Sequence, residues 1–220
     1  ITEETMECPI RATMEVDRLA ELPDGTPVYI DRYAHAADGI VVLNRIKPHT
    51  GFRGRYESGL FKMMAIGLGK QKGAETVHGR GRKKMSETIE LCGNAYLEHA
   101  NILFGVATVE NAFDQTYRLL VLTGPQIRDR EPQCLEEARN LLPRIMFDRL
   151  DVLVVDYIGK NISGTGMDTN ITKSYAHGYG ISREGRATKI AVLDLTKETH
   201  GAAVGVGAAD TTTYRLYEKM

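Results

Sequence analysis

The chain has 220 residues, 42% of them hydrophobic and 26% charged, with a formal net charge of −1. That length and apolar content can bury a sizeable core as one large domain or two small ones, and the near-neutral balance argues against a general affinity for nucleic acid or anionic membrane. Cys8, Cys92 and Cys134 are odd in number and form no CxxC pair, so neither a disulfide framework nor a thiolate metal site is indicated and a reducing, cytoplasmic setting fits best.

No charged segment leads into an apolar one at the start, and the longest apolar runs fall far short of a membrane span. Thr2, followed by Glu3, Glu4 and Thr5, suits the cap of a short helix that Pro9 cannot continue. RATMEV (11–16) and PVYID (27–31), with the turn residues PDG between them, alternate enough to pair as a hairpin. GIVVL at 39–43 is a continuous apolar run, the pattern of a strand covered on both faces. His49 then falls just past that strand's carboxyl end, where open α/β sheets place their ligands. The plainer alternative is a loop histidine beside a proline.

Arg53, Gly54, Arg55, Glu57 and Ser58 follow, a loop with room for an anionic ligand or, equally, a solvated charge cluster. Lys62 sits inside LFKMMAI, where a lysine is seldom placed unless its amine has a partner or a task. An amine in apolar surroundings loses its proton more easily, which makes Lys62 a candidate nucleophile; otherwise its head snorkels to solvent. GLGKQKG at 67–73 resembles a phosphate cradle with Lys70 and Lys72 as its cations. The pattern GxxxxGK[ST] is absent there, since Met64 stands at its first glycine and Gln71 at its hydroxyl. GRGRKK at 79–84 reads as a solvated turn before a helix over 86–98 capped by Ser86.

Strands are predicted at 102–110 and 116–123, then a helix over 132–142 with Pro132 in its first turn and Pro143 closing it. LDVLVVDYI at 150–158 reads as the clearest buried strand and begins a second α/β lobe. The loop 159–174 holds Gly164, Gly166 and Asp168 but does not meet GxGxxG, and no helical pattern follows it at once. A further buried strand over 188–196 and a terminal helix capped near Asp210 complete the chain.

A structural zinc site needs about four protein ligands at short spacings, and the chain has neither HExxH nor CxxC. His35, His99, His177 and His200 are isolated, each most simply a surface or satisfied histidine. If His78 binds a metal, something other than the protein supplies the remaining ligands.

The run KPHT, the stretch ESGLFKMMAIGLGKQKGA and His78 together resemble the nickel-dependent lactate racemase superfamily, in particular its many uncharacterised members. The resemblance is strongest from about Asp38 to Asp168. It implies an α/β fold of two lobes with mixed or parallel sheets and an active-site cleft between them. Residues 1–147 would form part of the cofactor-binding domain and 148–220 part of the C-terminal domain. Lys62 falls on the lysine that holds a nickel-pincer nucleotide through a thioamide, and His78, sixteen positions later, on the nickel ligand. His49, thirteen positions before Lys62, falls on a proton-transfer histidine, with a gap a few residues longer than in the racemases proper.

The same resemblance makes the loop after the 150–158 strand a substrate loop. Asp168 and Asn170 match its polar frame, and Lys173 is the nearest cation to the place where the racemases carry a lysine, here near Ala176. The implied activity is racemisation or epimerisation of a small, lactate-like 2-hydroxy acid by hydride transfer to and from the nucleotide, while histidines trade protons. The implied partners are that substrate and the cofactor-building enzymes, with neither nucleic acid nor membrane. Also implied is an upstream glycine-rich segment, with a further histidine and the groups that grip the cofactor phosphate, outside these 220 residues. Two readings of another class stand beside this one: a non-catalytic phosphate- or nucleotide-binding module using 67–73 and 159–170 as anion loops, and a cofactor-less interaction protein of the same fold.

Overall fold

The computed structural model describes residues 1–174 and 187–220; Ala176 and His177, singled out above, lie outside the described residues. The chain is α/β, and its contacts divide it into two compact units. The first holds Ile1–Lys47, Gly54–Glu110 and Asp114–Asn140; the second holds Pro48–Arg53, Asn111–Phe113 and Leu141–Met220. The first unit opens with helix α1 (Glu3–Met6), whose Thr2 and Thr5 form a reciprocal capping box. Strands β1 (Val16–Glu21) and β2 (Pro27–Asp31) pair antiparallel across a turn in which Gly25 takes a φ of 84°. The first strand begins later than RATMEV suggests. Its partner ends at Asp31, which caps helix α2 (Arg32–His35), so residues 11–15 have no strand to pair with.

Strand β3 (Ile40–Arg45) runs parallel to β4 (Ile102–Glu110), which pairs antiparallel with β5 (Thr116–Leu122) in the order β3-β4-β5. A parallel pair needs a long crossover. Here it contains α3 (Leu60–Lys62), a π-helical turn over Met63–Leu68, α4 (Lys70–Gly79) and α5 (Met85–His99). Helix α6 (Gly124–Leu141) follows β5. Leu60 and Ile127 press on the sheet at Gly105, where any Cβ would lie 2.6 Å from the leucine. Val42, Gly105 and Leu122 share that covered row.

The expectation that β3 is covered on both faces is not met. Leu43 and Val121, in one cross-strand row with Val106, are 62% and 61% exposed. Helices α3 and α6 both cover the Gly105 row, so the alternate side chains face outward. Fully buried Tyr56, Phe61, Met64, Ile89 and Leu135 make the core beneath the sheet, each worth roughly 1.5–3 kcal/mol on burial.

Two helix starts also differ from expectation. Helix α5 begins at Met85 without a side-chain cap, because the Ser86 hydroxyl is engaged by Tyr56, donating to its carbonyl at 2.9 Å. Helix α6 begins eight residues before Pro132 and passes through it. The proline ring leaves the Arg128 carbonyl without its intrahelical N–H, and the Tyr56 hydroxyl donates to that carbonyl at 2.7 Å instead.

In the second unit β6 (Leu150–Ile158), β7 (Ala187–Leu195) and β8 (Thr211–Thr212) lie parallel in that order. Ile158, Met167, Ile190, Val192 and Leu216 form its core. Among the described residues the first of these strands lies at the sheet's edge and is not fully buried, with Val152 56% exposed. A one-turn helix α7 (Thr169–Thr172) does follow the glycine-rich loop, because Asp168 caps it. The last helix, α8 (Tyr214–Tyr217), is capped by Thr213 and not near Asp210, whose carboxylate accepts from the Ile190 N–H at 2.8 Å. Among the described residues, no helix is long and apolar enough to cross a membrane.

Candidate functional site

Lys62 ends α3 and leads into the π-helical turn. It is half-buried between Phe61 and Met64, which are fully buried. π-Turns are rare and frequently found at functional sites. This one has a local cause in three glycines. A Cβ at Gly67 would meet the Met63 sulfur at 2.2 Å, and one at Gly69 or Gly73 would meet the Ala65 carbonyl oxygen at 2.3 or 2.4 Å. The turn ends where Lys70 takes a left-handed φ of 53°, unusual for a side chain with a Cβ.

The start of the same turn is held from another helix. Gly59 has no side chain to cap it, and a Cβ there would lie 2.3 Å from a carboxylate oxygen of Glu131. That carboxylate reaches in from α6 and accepts from the Phe61 N–H at 3.1 Å. Asn44 donates to the Gly59 carbonyl at 2.8 Å from the sheet side. Glu131 is 1% exposed; burial pushes its carboxyl up to about 7, against the pull of the Phe61 and Leu60 N–H groups. Sequence reasoning missed this residue because the helix was begun at Pro132. Extended back to Ile127, the stripe Ile127, Glu131, Leu135, Ala138 puts an acid on the apolar face.

Helix α4 carries the other cations of this stretch. Lys70 pairs with Asp31 at 3.3 Å, and the Lys72 ammonium stands over the Tyr29 ring at 5.3 Å. His78 is exposed near the helix's C-terminal end. Just beyond it Arg80 is pinned by Asp24, Thr26 and Thr88 and so is not a freely solvated turn residue. Lys62, Lys70, Lys72 and His78 therefore share the first unit.

His49 belongs by its contacts to the second unit, with Asp168, Asn170 and Lys173. Its half-buried ring lies 4.3 Å from that of Phe52, and its Nδ1 accepts the Gly51 N–H at 2.9 Å. Arg53 donates to the carbonyls of His49 (2.6 Å) and Phe52 (3.1 Å) and to the Asn170 side-chain oxygen. Asn170 in turn donates to Asp168 at 2.8 Å and to the His49 carbonyl at 3.4 Å, and the Thr169 hydroxyl donates to the Thr50 carbonyl at 2.5 Å. Arg53 thus acts as a clamp between two loops. Lys173 closes α7 in the left-handed region, with φ 58°.

The remaining described histidines sit apart: His35 meets Asp17 at 3.0 Å, His99 is exposed beside Glu98, and His200 occupies an exposed turn. Cys8, Cys92 and Cys134 are free thiols. Among the described residues no group of three or more His, Cys, Asp or Glu side chains could hold a metal ion.

No protein-family model matches the chain, and no curated protein matches it. Among solved structures, the lactate racemase apoprotein from Thermoanaerobacterium thermosaccharolyticum is similar to it, with a TM-score of 0.49 and 12% sequence identity. The similarity covers 92% of this chain and 62% of that one, so the chain spans less than two thirds of the length of that racemase.

Proposed function

We propose that this chain is the lysine- and histidine-bearing part of a nickel-dependent racemase or epimerase of a small 2-hydroxy acid. In this reading Lys62 holds the nickel-pincer nucleotide covalently and His78 gives its imidazole to the nickel. The observation that carries it is the placement of Lys62: a half-buried lysine flanked in the chain by buried Phe61 and Met64, at the point where α3 opens into a π-turn. The donor set agrees with it: among the described residues no protein cluster could hold a metal, and an exposed imidazole suits a metal that a bound organic group already ligates. The group, when bound, supplies the hydride acceptor that lets the hydroxyl-bearing carbon be inverted.

The chain's own residues hold the reactants and move protons. His49 is the acid–base histidine of this reading. Its Nδ1 lone pair is taken by the Gly51 N–H, so the neutral ring carries its proton on Nε2. It is a base at Nε2 only in the other neutral tautomer, in which Nδ1 gives up the Gly51 contact and carries the ring's one proton while Nε2 carries none. Lys173 is the cation we assign to the substrate carboxylate, with Asp168 and Asn170 shaping the turn that carries it. Lys70 and Lys72 belong to the cofactor-binding set, engaged with Asp31 and Tyr29 before any ligand arrives. The partners are the 2-hydroxy acid and the enzymes that build the nucleotide, in the cytoplasm.

Nickel content tests the assignment. The protein made alongside the nucleotide-building enzymes should hold stoichiometric nickel, His78→Ala should lose the metal while keeping the Lys62 adduct, and Lys62→Ala should lose both. Nickel retained at the wild-type level in His78→Ala would reject the ligand assignment.

A further inference from the structure

Glu131 is the buried titratable group that this chemistry leaves unused. Its carboxylate is delivered from α6 to the first turn of the helix that carries Lys62, where it accepts the Phe61 N–H at 3.1 Å and fills the space a side chain at Gly59 would need. The first N–H groups of a helix have no intrahelical partner and are ordinarily capped by the residue just before them. A glycine stands there, so a distant acid does that work, and the bonded amide belongs to the residue next to Lys62.

The surroundings leave the carboxyl free to change its protonation. Among the described residues no cation pairs with it. Glu57, from the loop before α3, is already neutralised by Arg139 at 2.7 Å. Tyr56 from the same loop and Cys134 on α6 are uncharged near neutrality, the phenol pushed up to about 12 and the thiol pushed up by burial. Lys62 itself is the basic residue of the turn that Glu131 caps. Burial disfavours the carboxylate while the two N–H groups favour it, and the balance falls near neutral pH.

We propose that Glu131 is the positioning residue for Lys62: its carboxylate caps the turn that begins at Leu60 and, by taking up or releasing a proton, sets how firmly that turn presents the Lys62 amine. The ionised form offers two acceptor oxygens to the Leu60 and Phe61 amides, and charge-assisted bonds of this kind are the stronger ones. The protonated form keeps a weaker acceptor and adds an O–H. This inference rests on Lys62 being the working amine, but the capping itself is measurable without any cofactor.

The test uses the full chain in the wild-type and Glu131→Gln forms, which differ by one ionisable group at nearly constant shape. In the wild type, the Glu131 carboxyl carbon and the Phe61 amide proton, followed by NMR, should titrate together near pH 7, the amide moving downfield as the acid ionises. The rate of reductive methylation at Lys62, read by peptide mass, should show an inflection at the same pH. In Glu131→Gln both inflections should vanish, and in Glu131→Ala hydrogen exchange at Phe61 should rise about tenfold or more. A Phe61 amide that stays flat while the carboxyl titrates, or identical Lys62 profiles in wild type and Glu131→Gln, would overturn the proposal. Should the variants fail to fold, the wild-type comparison of carboxyl and amide decides alone. An unmodified Lys62 in protein made with the cofactor pathway would sink the racemase reading and leave the capping result standing.

Discussion

The turn that carries Lys62 and the loop that carries His49 are held in different ways. The first is set by packing: Gly59, Gly67, Gly69, Gly73 and Gly93 each lack the room for a Cβ, and the atoms nearest them, side-chain or backbone, belong mostly to buried residues. The second is set by polar bonds, with Arg53, Asn170, Asp168 and Thr169 tying residues 48–53 to the start of α7. Close packing tolerates little displacement, whereas hydrogen bonds can be exchanged at small net cost. In the proposed chemistry the covalent anchor thus sits on the closely packed element, and the histidine proposed to exchange protons on the hydrogen-bonded one.

That contrast can be broken at several places. The largest effect should come from His49→Ala, which should keep the Lys62 adduct yet lose roughly 100- to 10,000-fold in racemisation rate, measured on a single enantiomer. A rate within about threefold of wild type would remove His49 from the mechanism. Next comes the pH dependence of stability. Glu131 is raised from 4.5 to about 7 on folding, so its contribution is fully present below pH 4.5 and is lost as pH rises through about 7. At 1.36 kcal/mol per pKa unit this one group costs on the order of 3 kcal/mol across that window, and denaturant titrations should show the decline flattened in Glu131→Gln. An equal slope in both proteins would contradict the burial of an ionisable Glu131.

Smaller again is Gly93→Val. A Cβ there would lie 2.5 Å from the Phe61 ring, and overpacking of this kind costs roughly 1–3 kcal/mol, visible as a lowered denaturant midpoint at unchanged slope. Thr169→Val should be the mildest, losing about 1 kcal/mol with the bond to the Thr50 carbonyl. If Thr169→Val proves costlier than Gly93→Val, the assignment of rigid and adjustable elements is reversed.

Elements whose apolar pattern is local were legible in the sequence. The strands at Ile102–Glu110 and Leu150–Ile158 have the expected bounds because unbroken β-branched and apolar runs declare them. Which faces are covered was not legible, since the exposure of Leu43 and Val152 depends on where helices and edges fall. The start of α6 was obscured by Pro132, tolerated mid-helix only because Tyr56, far away in sequence, bonds the orphaned carbonyl. Lys62 stood out as a cation in an apolar run, yet its π-turn depends on the contacts of three glycines and has no one-dimensional signature. Glu131 and the Arg53–Asn170 clamp join residues far apart in the chain, and no local spacing marks such pairs.

The central claim is that the Lys62 amine is the attachment point of the cofactor, and intact mass measures it most directly. Protein produced alongside the nucleotide-building enzymes should exceed its sequence mass by one cofactor increment, mapped to the peptide containing Lys62 and absent from Lys62→Ala. A wild-type protein that racemises a 2-hydroxy acid at its unmodified sequence mass, or an increment that survives in Lys62→Ala, would contradict the account.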